Sequence, residues 1–167
     1  MDRSRNVVLT GFMGTGKTTV GGLLADLLGY EFVDTDEVIE QRHGPIETIF
    51  RERGEGAFRA IEREVAAELA GADRRVISTG GGMMLDPVIA ETLGTGARVF
   101  CLVASPDTIV ARVMNGPVRP LLEGPDARAR IAELLASRAA GYAAFEQVST
   151  DSQTAADVAY DLLDRLR

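Results

Sequence analysis

The residues Gly11-Phe12-Met13-Gly14-Thr15-Gly16-Lys17-Thr18 fit the pattern G-x-x-x-x-G-K-[ST], a phosphate-binding loop. Glycines at these positions let the backbone curl so that successive N–H groups face inward as an anion nest. A helix beginning at the end of the loop adds its positive N-terminal end. Lys17 is the only lysine of the chain, and the other seventeen basic residues are arginine. In a chain so biased toward arginine, one compact ammonium kept at this position suits a phosphate contact better than a planar fork would.

Further residues could do chemistry beside it. Asp34-Thr35-Asp36 closes the strand candidate that begins Glu31-Phe32-Val33. Nucleotide chemistry needs a metal-side carboxylate, usually at the end of an apolar strand. The other strand candidates end in Ser78-Thr79 and Val103-Ala104, so that carboxylate must come from the Asp34–Asp36 turn. A guanine-reading motif needs a second lysine, and there is none, so a GTPase is excluded. Thr79 leads into Gly80-Gly81-Gly82, where a ligand can approach bare backbone. Arg119 lies in a stretch with three prolines and two glycines, placed as a lid arginine that could complete a phosphoryl-transfer site on closure. Arg59 and Arg138 fall on separate helices and are candidates for bidentate pairing with a ligand carboxylate. Alternatively Arg59 serves only a surface ion pair with Glu62, its neighbour three residues on.

These residues need a scaffold that puts strand ends together. Apolar runs predict strands over 6–9, 31–34, 75–78, 98–103 and 147–150. Helical periodicity predicts helices from the loop to about 28, over 37–42, 46–50, 57–70, 87–93, 106–114, 126–145 and 154–166. Breaks are expected at Gly44-Pro45 and Gly54-Glu55-Gly56, and Asp126 is expected to cap the helix that follows it. Strands alternating with helices make an α/β fold, a parallel sheet covered on both faces, with chemistry at the carboxyl ends of its strands. Gly22 is unusual inside the first helix, and close packing against the sheet would explain it. At 167 residues and 46% hydrophobic composition the chain is one domain, 1–167, with room for a real core. Its net charge of -7 argues against nucleic acid. No signal peptide or membrane-length apolar run is expected, so the cytoplasm is the default location. The single cysteine, Cys101, reads as a buried small hydrophobe and the single histidine, His43, as solvated in a turn.

Together these segments resemble the shikimate kinases over nearly the whole chain. The phosphate loop alone is shared by many kinases. More specific are Asp34-Thr35-Asp36, residues 54–62 with Phe58, Arg59 and Glu62, the triple glycine, Val118-Arg119-Pro120-Leu121-Leu122, and Arg138 with Tyr142 four residues on. The resemblance implies a three-layer αβα fold with a five-stranded parallel sheet in the order 2-3-1-4-5, a lid at about 115–125 and a substrate-binding helical region at about 36–62. It implies ATP and Mg²⁺, a shikimate acceptor phosphorylated on its 3-hydroxyl, and a monomer. Lys17, Asp36 and Arg119 would be catalytic. Gly14, Thr15, Gly16, Lys17, Thr18, Thr19, Arg112, Arg119 and Gln153 would bind ATP, with Arg112 on the adenine. Asp36, Arg59, Gly80, Gly81, Gly82 and Arg138 would bind shikimate, and Thr18 and Asp34 the metal. Two departures stand out: Ala140 where family members usually have proline, and Gly22 where they often have arginine. Two other readings remain open, a related small-molecule kinase acting on gluconate and a nucleotide-binding regulatory module without catalysis.

Overall fold

The computed structural model describes residues 5–115 and 126–167. In chain order the elements are β1 (Val7–Thr10), α1 (Lys17–Leu28), β2 (Glu31–Asp34), α2 (Thr35–His43), α3 (Ile46–Ala70), β3 (Arg75–Ser78), a 3-10 turn (Met83–Leu85), α4 (Pro87–Gly94), β4 (Arg98–Val103), α5 (Pro106–Met114), α6 (Ala127–Tyr142), β5 (Glu146–Ser149) and α7 (Ala155–Arg165). The five strands form one parallel sheet in the order β2-β3-β1-β4-β5. That order matches the one implied by the family resemblance.

All of β1 is buried, as the central strand of a parallel sheet with both faces covered must be. Side-chain alternation divides its neighbours. Val7 and Leu9 pack with Val20 and Leu24 of α1 and with Val158 and Leu162 of α7. Val8 points the other way, toward Phe58, Ile61 and Val65 of α3 and Ile89 and Leu93 of α4. A third cluster, Phe12, Cys101, Ile109, Ile131 and Tyr142, lies where α5 and α6 cover the sheet.

Register decides where the chemistry can be. Ser78 of β3 pairs with Leu9 on one side and Asp34 on the other. The carboxyl ends of three adjacent strands are therefore level, and the ends of β1 and β2 stand about 10 Å apart, two strand spacings. The chain runs from β1 outward to β2 on one side, and from β3 across to β4 on the other. The phosphate loop leaves β1 at this reversal, where open α/β sheets bind ligands.

Several expectations change in detail. β1 and β5 are each displaced by one residue from the expected limits. The expected break falls at Gly54, whose non-helical φ 81° and ψ 171° kink α3 into two helical segments. Asp126 makes no side-chain cap hydrogen bond, and α6 ends at Tyr142, before the expected 145. Gly22 has nothing within 4 Å of where a Cβ would sit, so packing does not require it. Gly21 is the constrained neighbour, because its Cβ would lie 2.6 Å from Phe32 Cε2. His43 is the last residue of α2 and is exposed, in keeping with a solvated side chain.

Candidate active site

The phosphate loop is built around its first glycine. Gly11 has φ 132°, and a Cβ there would come within 2.2 Å of the Leu102 carbonyl oxygen, so the loop can leave β1 only at a glycine. Thr15 is buried, and its hydroxyl donates to the Phe12 carbonyl at 2.7 Å, closing the loop from inside. Thr15 thus offers a ligand its backbone, not its hydroxyl. Lys17 Nζ donates to the carbonyls of Gly11 and Phe12 at 2.8 and 2.9 Å. This holds the ammonium across the loop's mouth. Gly16 precedes α1 in the left-handed region, φ 96°, and no side chain caps the helix. The first N–H groups of α1 are therefore left to an anion.

The second wall is the turn after β2. Asp34 Oδ1 accepts from the backbone N–H of Asp36 at 3.0 Å and of Glu37 at 3.4 Å, so it is the N-cap of α2. Its other oxygen, Oδ2, accepts from Thr18 Oγ1 at 2.9 Å. One carboxylate thereby starts one helix and grips the first turn of another. Thr35 lies between the two aspartates, is fully buried, and accepts from the Gly80 N–H at 3.1 Å. The turn is thus bolted to the glycine run.

That run is the floor. A Cβ on Gly80 would lie 2.8 Å from Asp36 Oδ1, one on Gly81 3.4 Å from Arg138 Nη1, and one on Gly82 3.3 Å from Arg59 Nη2. Three consecutive glycines therefore underlie three candidate side chains from α2, α6 and α3. Arg59 also donates to Glu62 at 2.7 Å, and its other terminal nitrogen is 3.5 Å from Glu55. The ion pair and the site position are the same place, not alternatives. Glu62 is almost completely buried, and burial raises its pKa against the opposing pull of Arg59. Burial lowers the Arg59 pKa, but the Glu62 carboxylate outweighs it and the net shift is upward. Arg138 stands over the Phe12 ring, 5.5 Å from its centroid.

A cleft of about 240 Å³ is lined by Gly14, Gly16, Lys17, Thr18, Thr19, Asp34, Asp36, Ser78 and Gly80–Gly81, among others. A second hollow of about 250 Å³ lies on the far side of the loop, lined by Thr15, Gly16, Thr19, Arg112, Thr150 and Gln153, among others. Gly16 and Thr19 line both. Arg112 donates to the Gly14 carbonyl at 3.2 Å and to Thr150 Oγ1 and O at 2.9 and 2.8 Å, which fixes it in the second hollow. Gln153 Nε2 donates to the Ser149 carbonyl at 2.8 Å. Of the lid expected at about 115–125, residues 116–125, Arg119 among them, lie outside the described residues. Among the described residues no three His, Cys, Asp or Glu side chains cluster to hold a metal. Burial raises the Cys101 thiol to about 11, so it is an inert core residue as expected.

Sequence reasoning left out the positioning residues. Thr35 is visible in the sequence only as part of the aspartate turn, and Phe12 only as a variable position of the phosphate loop. Tyr142 counted only as a family signature. Its hydroxyl donates to the Gly81 carbonyl at 2.6 Å. The spacing of Arg138 and Tyr142, one helical turn, was the available signal.

The model of the shikimate kinase family matches residues 13–167. The chain belongs to the shikimate kinase family. Shikimate kinase from Moorella thermoacetica is 44% identical over 97% of this chain and 94% of its own length. The solved shikimate kinase of Acinetobacter baumannii, determined in complex with shikimate, superposes with a TM-score of 0.90 at 34% identity, covering 98% of this chain and 93% of that one. The Bacteroides thetaiotaomicron shikimate kinase structure gives 0.88 at 31% identity, covering 97% and 98%. The chain is thus an enzyme, a phosphotransferase of the P-loop kinase type.

Proposed function

We propose that this enzyme transfers the γ-phosphoryl group of ATP to the 3-hydroxyl of shikimate, giving shikimate 3-phosphate and ADP, in the biosynthesis of chorismate and the aromatic amino acids. Family membership supports the reaction. The observation that carries the residue assignment is the glycine floor beneath Asp36, Arg138 and Arg59, beside the phosphate loop.

ATP phosphates lie on the N–H groups of residues 14–19, and the base lies toward Arg112 and Gln153. The two hollows that meet at Gly16 and Thr19 are what such an elongated ligand needs. The Lys17 ammonium leaves its loop carbonyls for the β- and γ-phosphates. Shikimate enters over Gly80–Gly82, its carboxylate on Arg59 and Arg138 and its hydroxyls on Asp36. Asp36 accepts the proton of the 3-hydroxyl as that oxygen bonds to the γ-phosphorus. The bond from γ-phosphorus to the bridging oxygen breaks, and its electron pair stays on ADP. Lys17, and Arg119 from the lid, meet the charge on the transferring group. Such transfer depends on positioning and electrostatics more than on covalent participation by the protein.

The donor set suits Mg²⁺. It is hard oxygen, the Thr18 hydroxyl and the Asp34 carboxylate, 2.9 Å apart. Mg²⁺ in kinases takes one or two protein oxygens and completes its shell with phosphates and water, so no cluster of three carboxylates is required. When bound, it would neutralise phosphate charge next to Thr18 and Asp34.

We further propose a single catalytic domain over 1–167, with a lid at about 115–125 and a substrate-binding region at about 36–62. It would act as a monomer in the cytoplasm, with no nucleic-acid or membrane partner. The charge of -7 supports the absence of nucleic acid. No helix among the described residues is long and apolar enough to cross a membrane.

A coupled assay of ADP release with shikimate, quinate, gluconate and nucleoside monophosphates tests the substrate. Release dependent on shikimate and Mg²⁺ is expected. Activity confined to gluconate would overturn the acceptor, and no turnover with any acceptor would favour a regulatory module.

A further inference from the structure

The hollow beyond the phosphate loop shares Gly16 and Thr19 with the main cleft, so a ligand whose phosphates fill the loop extends into it. Its other walls include Arg112, near the end of α5, and Thr150, Gln153 and Ala155, which run from β5 to the start of α7. A guanidinium carries five N–H donors in one plane. Arg112 spends three of them on protein oxygens. Nη1 donates to the Gly14 carbonyl at 3.2 Å and to Thr150 Oγ1 at 2.9 Å, and Nη2 donates to the Thr150 carbonyl at 2.8 Å. Two of the three acceptors thus belong to Thr150, which is only 2% exposed. Thr150 is held in turn by β4. Its N–H donates to the Val103 carbonyl at 2.8 Å, and its hydroxyl proton goes to the same oxygen at 3.3 Å. The hydroxyl has no second proton, so it meets Arg112 only as an acceptor. The helix carrying Arg112 also rests against the loop, where a Cβ on Gly14 would lie 3.0 Å from Val113 Cγ2. Three edge bonds to two segments therefore fix the plane of the guanidinium and leave its flat face for a ligand.

We propose that Thr150 is a positioning residue for the nucleotide: its hydroxyl and carbonyl grip the Arg112 guanidinium by the edge and so set the plane on which the base lies. The inference rests on the reading that the base of ATP occupies this hollow. The plane matters because a guanidinium attracts an aromatic ring through its face, in parallel contact. A rotated fork would present its N–H edge instead and lose that contact. Thr150 acts through Arg112, not on the reacting atoms. Loss of its hydroxyl should weaken the hold on the base and leave the phosphate loop and the acceptor side untouched.

Thr150→Val keeps the shape of the side chain and the backbone carbonyl and removes only the hydroxyl. The expected result is a rise of about tenfold in KM for ATP, with KM for shikimate unchanged within about twofold. Thr150→Ser, which keeps the hydroxyl, should restore the native KM for ATP. In the Arg112→Ala background Thr150→Val should add nothing, because the group that Thr150 holds is gone. Inorganic tripolyphosphate separates the base from the loop, which Arg112 also touches through Gly14. As an inhibitor competing with ATP it should have the same Ki for the native enzyme and for Thr150→Val. A Ki that rises in step with KM would place the effect in the loop and overturn the proposal. Arg112→Ala alone tests the underlying reading: an unchanged KM for ATP would take the base out of this hollow, whatever Thr150 does. With that effect present, an unchanged KM for ATP in Thr150→Val, an equal rise for shikimate, no rescue by Thr150→Ser, or full additivity in the double variant would each overturn the positioning role. A lowered melting temperature with native KM would assign the hydroxyl to stability alone and would overturn it equally. Should Thr150→Val fold poorly, Arg112→Lys supplies a second measurement. It keeps the charge but has no plane to be set, so KM for ATP should rise as far as in Arg112→Ala, and a native value would sink the proposal.

Discussion

Thr18 Oγ1 and Asp34 Oδ2 are joined by a 2.9 Å hydrogen bond between the first turn of α1 and the last residue of β2. The other oxygen of Asp34 caps α2 through the N–H groups of Asp36 and Glu37. One carboxylate thus fixes the phosphate helix and the helix carrying Asp36 relative to each other. A metal seated between them would be gripped by parts already in register.

The two tasks of Asp34 can be separated by substitution. Asp34→Asn keeps an oxygen for the cap but loses the charge. Its melting temperature should stay close to native, while the Mg²⁺ concentration for half-maximal activity rises at least about tenfold. Asp34→Ala loses the cap as well, at about 1 kcal/mol, and should melt about 2–4 °C lower. Thermal melts paired with Mg²⁺ titrations read both effects. A native Mg²⁺ requirement in Asp34→Asn would remove Asp34 from the metal site.

Adjacent glycines of α1 should respond in opposite directions. Gly22 has open space where a Cβ would sit, so Gly22→Ala should stabilise the helix by up to about 1 kcal/mol through propensity alone. Gly21→Ala would drive its methyl against the Phe32 ring, and overpacking of that kind costs about 1–3 kcal/mol. Urea unfolding of the two variants, with native m-values, checks the pair. Equal shifts of the same sign would mean that the α1–β2 packing described above is wrong.

The same pair of glycines shows what was legible in the sequence and what was not. Helix propensity identifies Gly22 as costly but cannot say which face of α1 meets Phe32, because that depends on how β2 lies beside it. The strands and the loop were readable because each is a local pattern with its flanks in place: an apolar run, a glycine turn, a helical period; the strand order came only with the family resemblance. The Asp34–Asp36 turn was reachable by elimination among strand ends. Arg59, Arg138 and Asp36 were readable as types, yet their convergence on Gly80–Gly82 is a product of register and helix direction, which no single segment encodes. Arg59 illustrates the limit. Its spacing to Glu62 predicted an ion pair correctly, but a spacing cannot report that the pair stands at the edge of the floor. Asp126 failed as a cap because residue preference does not dictate side-chain geometry.

Glu62 gives a pH signature. Burial raises its pKa above the ordinary 4.5, and the Arg59 charge only partly offsets this. The folded state therefore holds the Glu62 proton more tightly than the unfolded chain does. The stabilisation this contributes is fully present below the ordinary value and is lost as pH rises through the raised one. The native enzyme compared with Glu62→Gln should thus be relatively most stable below the ordinary carboxylate value and lose that margin as pH rises above it. Asp86, whose pKa is lowered chiefly by Arg63, shifts the other way and is present in both proteins. Denaturant unfolding across this range provides the comparison. A margin that grows with pH would reverse the sign and exclude burial as the dominant influence on Glu62.

Asp36 offers the most direct test of the chemistry. Asp36→Asn keeps a polar side chain of the same shape but accepts no proton, so kcat should fall about 100-fold or more, the range of general base catalysis. KM for ATP should hardly move, since the nucleotide is held by the loop and by the hollow around Arg112. Gly80→Ala approaches the same carboxylate from below. Its methyl would stand 2.8 Å from Asp36 Oδ1, so the carboxylate must shift or the floor must sink. A displacement of about 1 Å in a reacting group can cost about 100-fold in rate. Both variants should therefore lose turnover with ATP affinity intact, although only Asp36→Asn alters a chemical group. Steady-state kinetics with each substrate varied in turn separates the outcomes. If Asp36→Asn retained native turnover, the proton of the 3-hydroxyl would have to leave by another route, and any effect of Gly80→Ala would then be attributed to the substrate's seat on the floor.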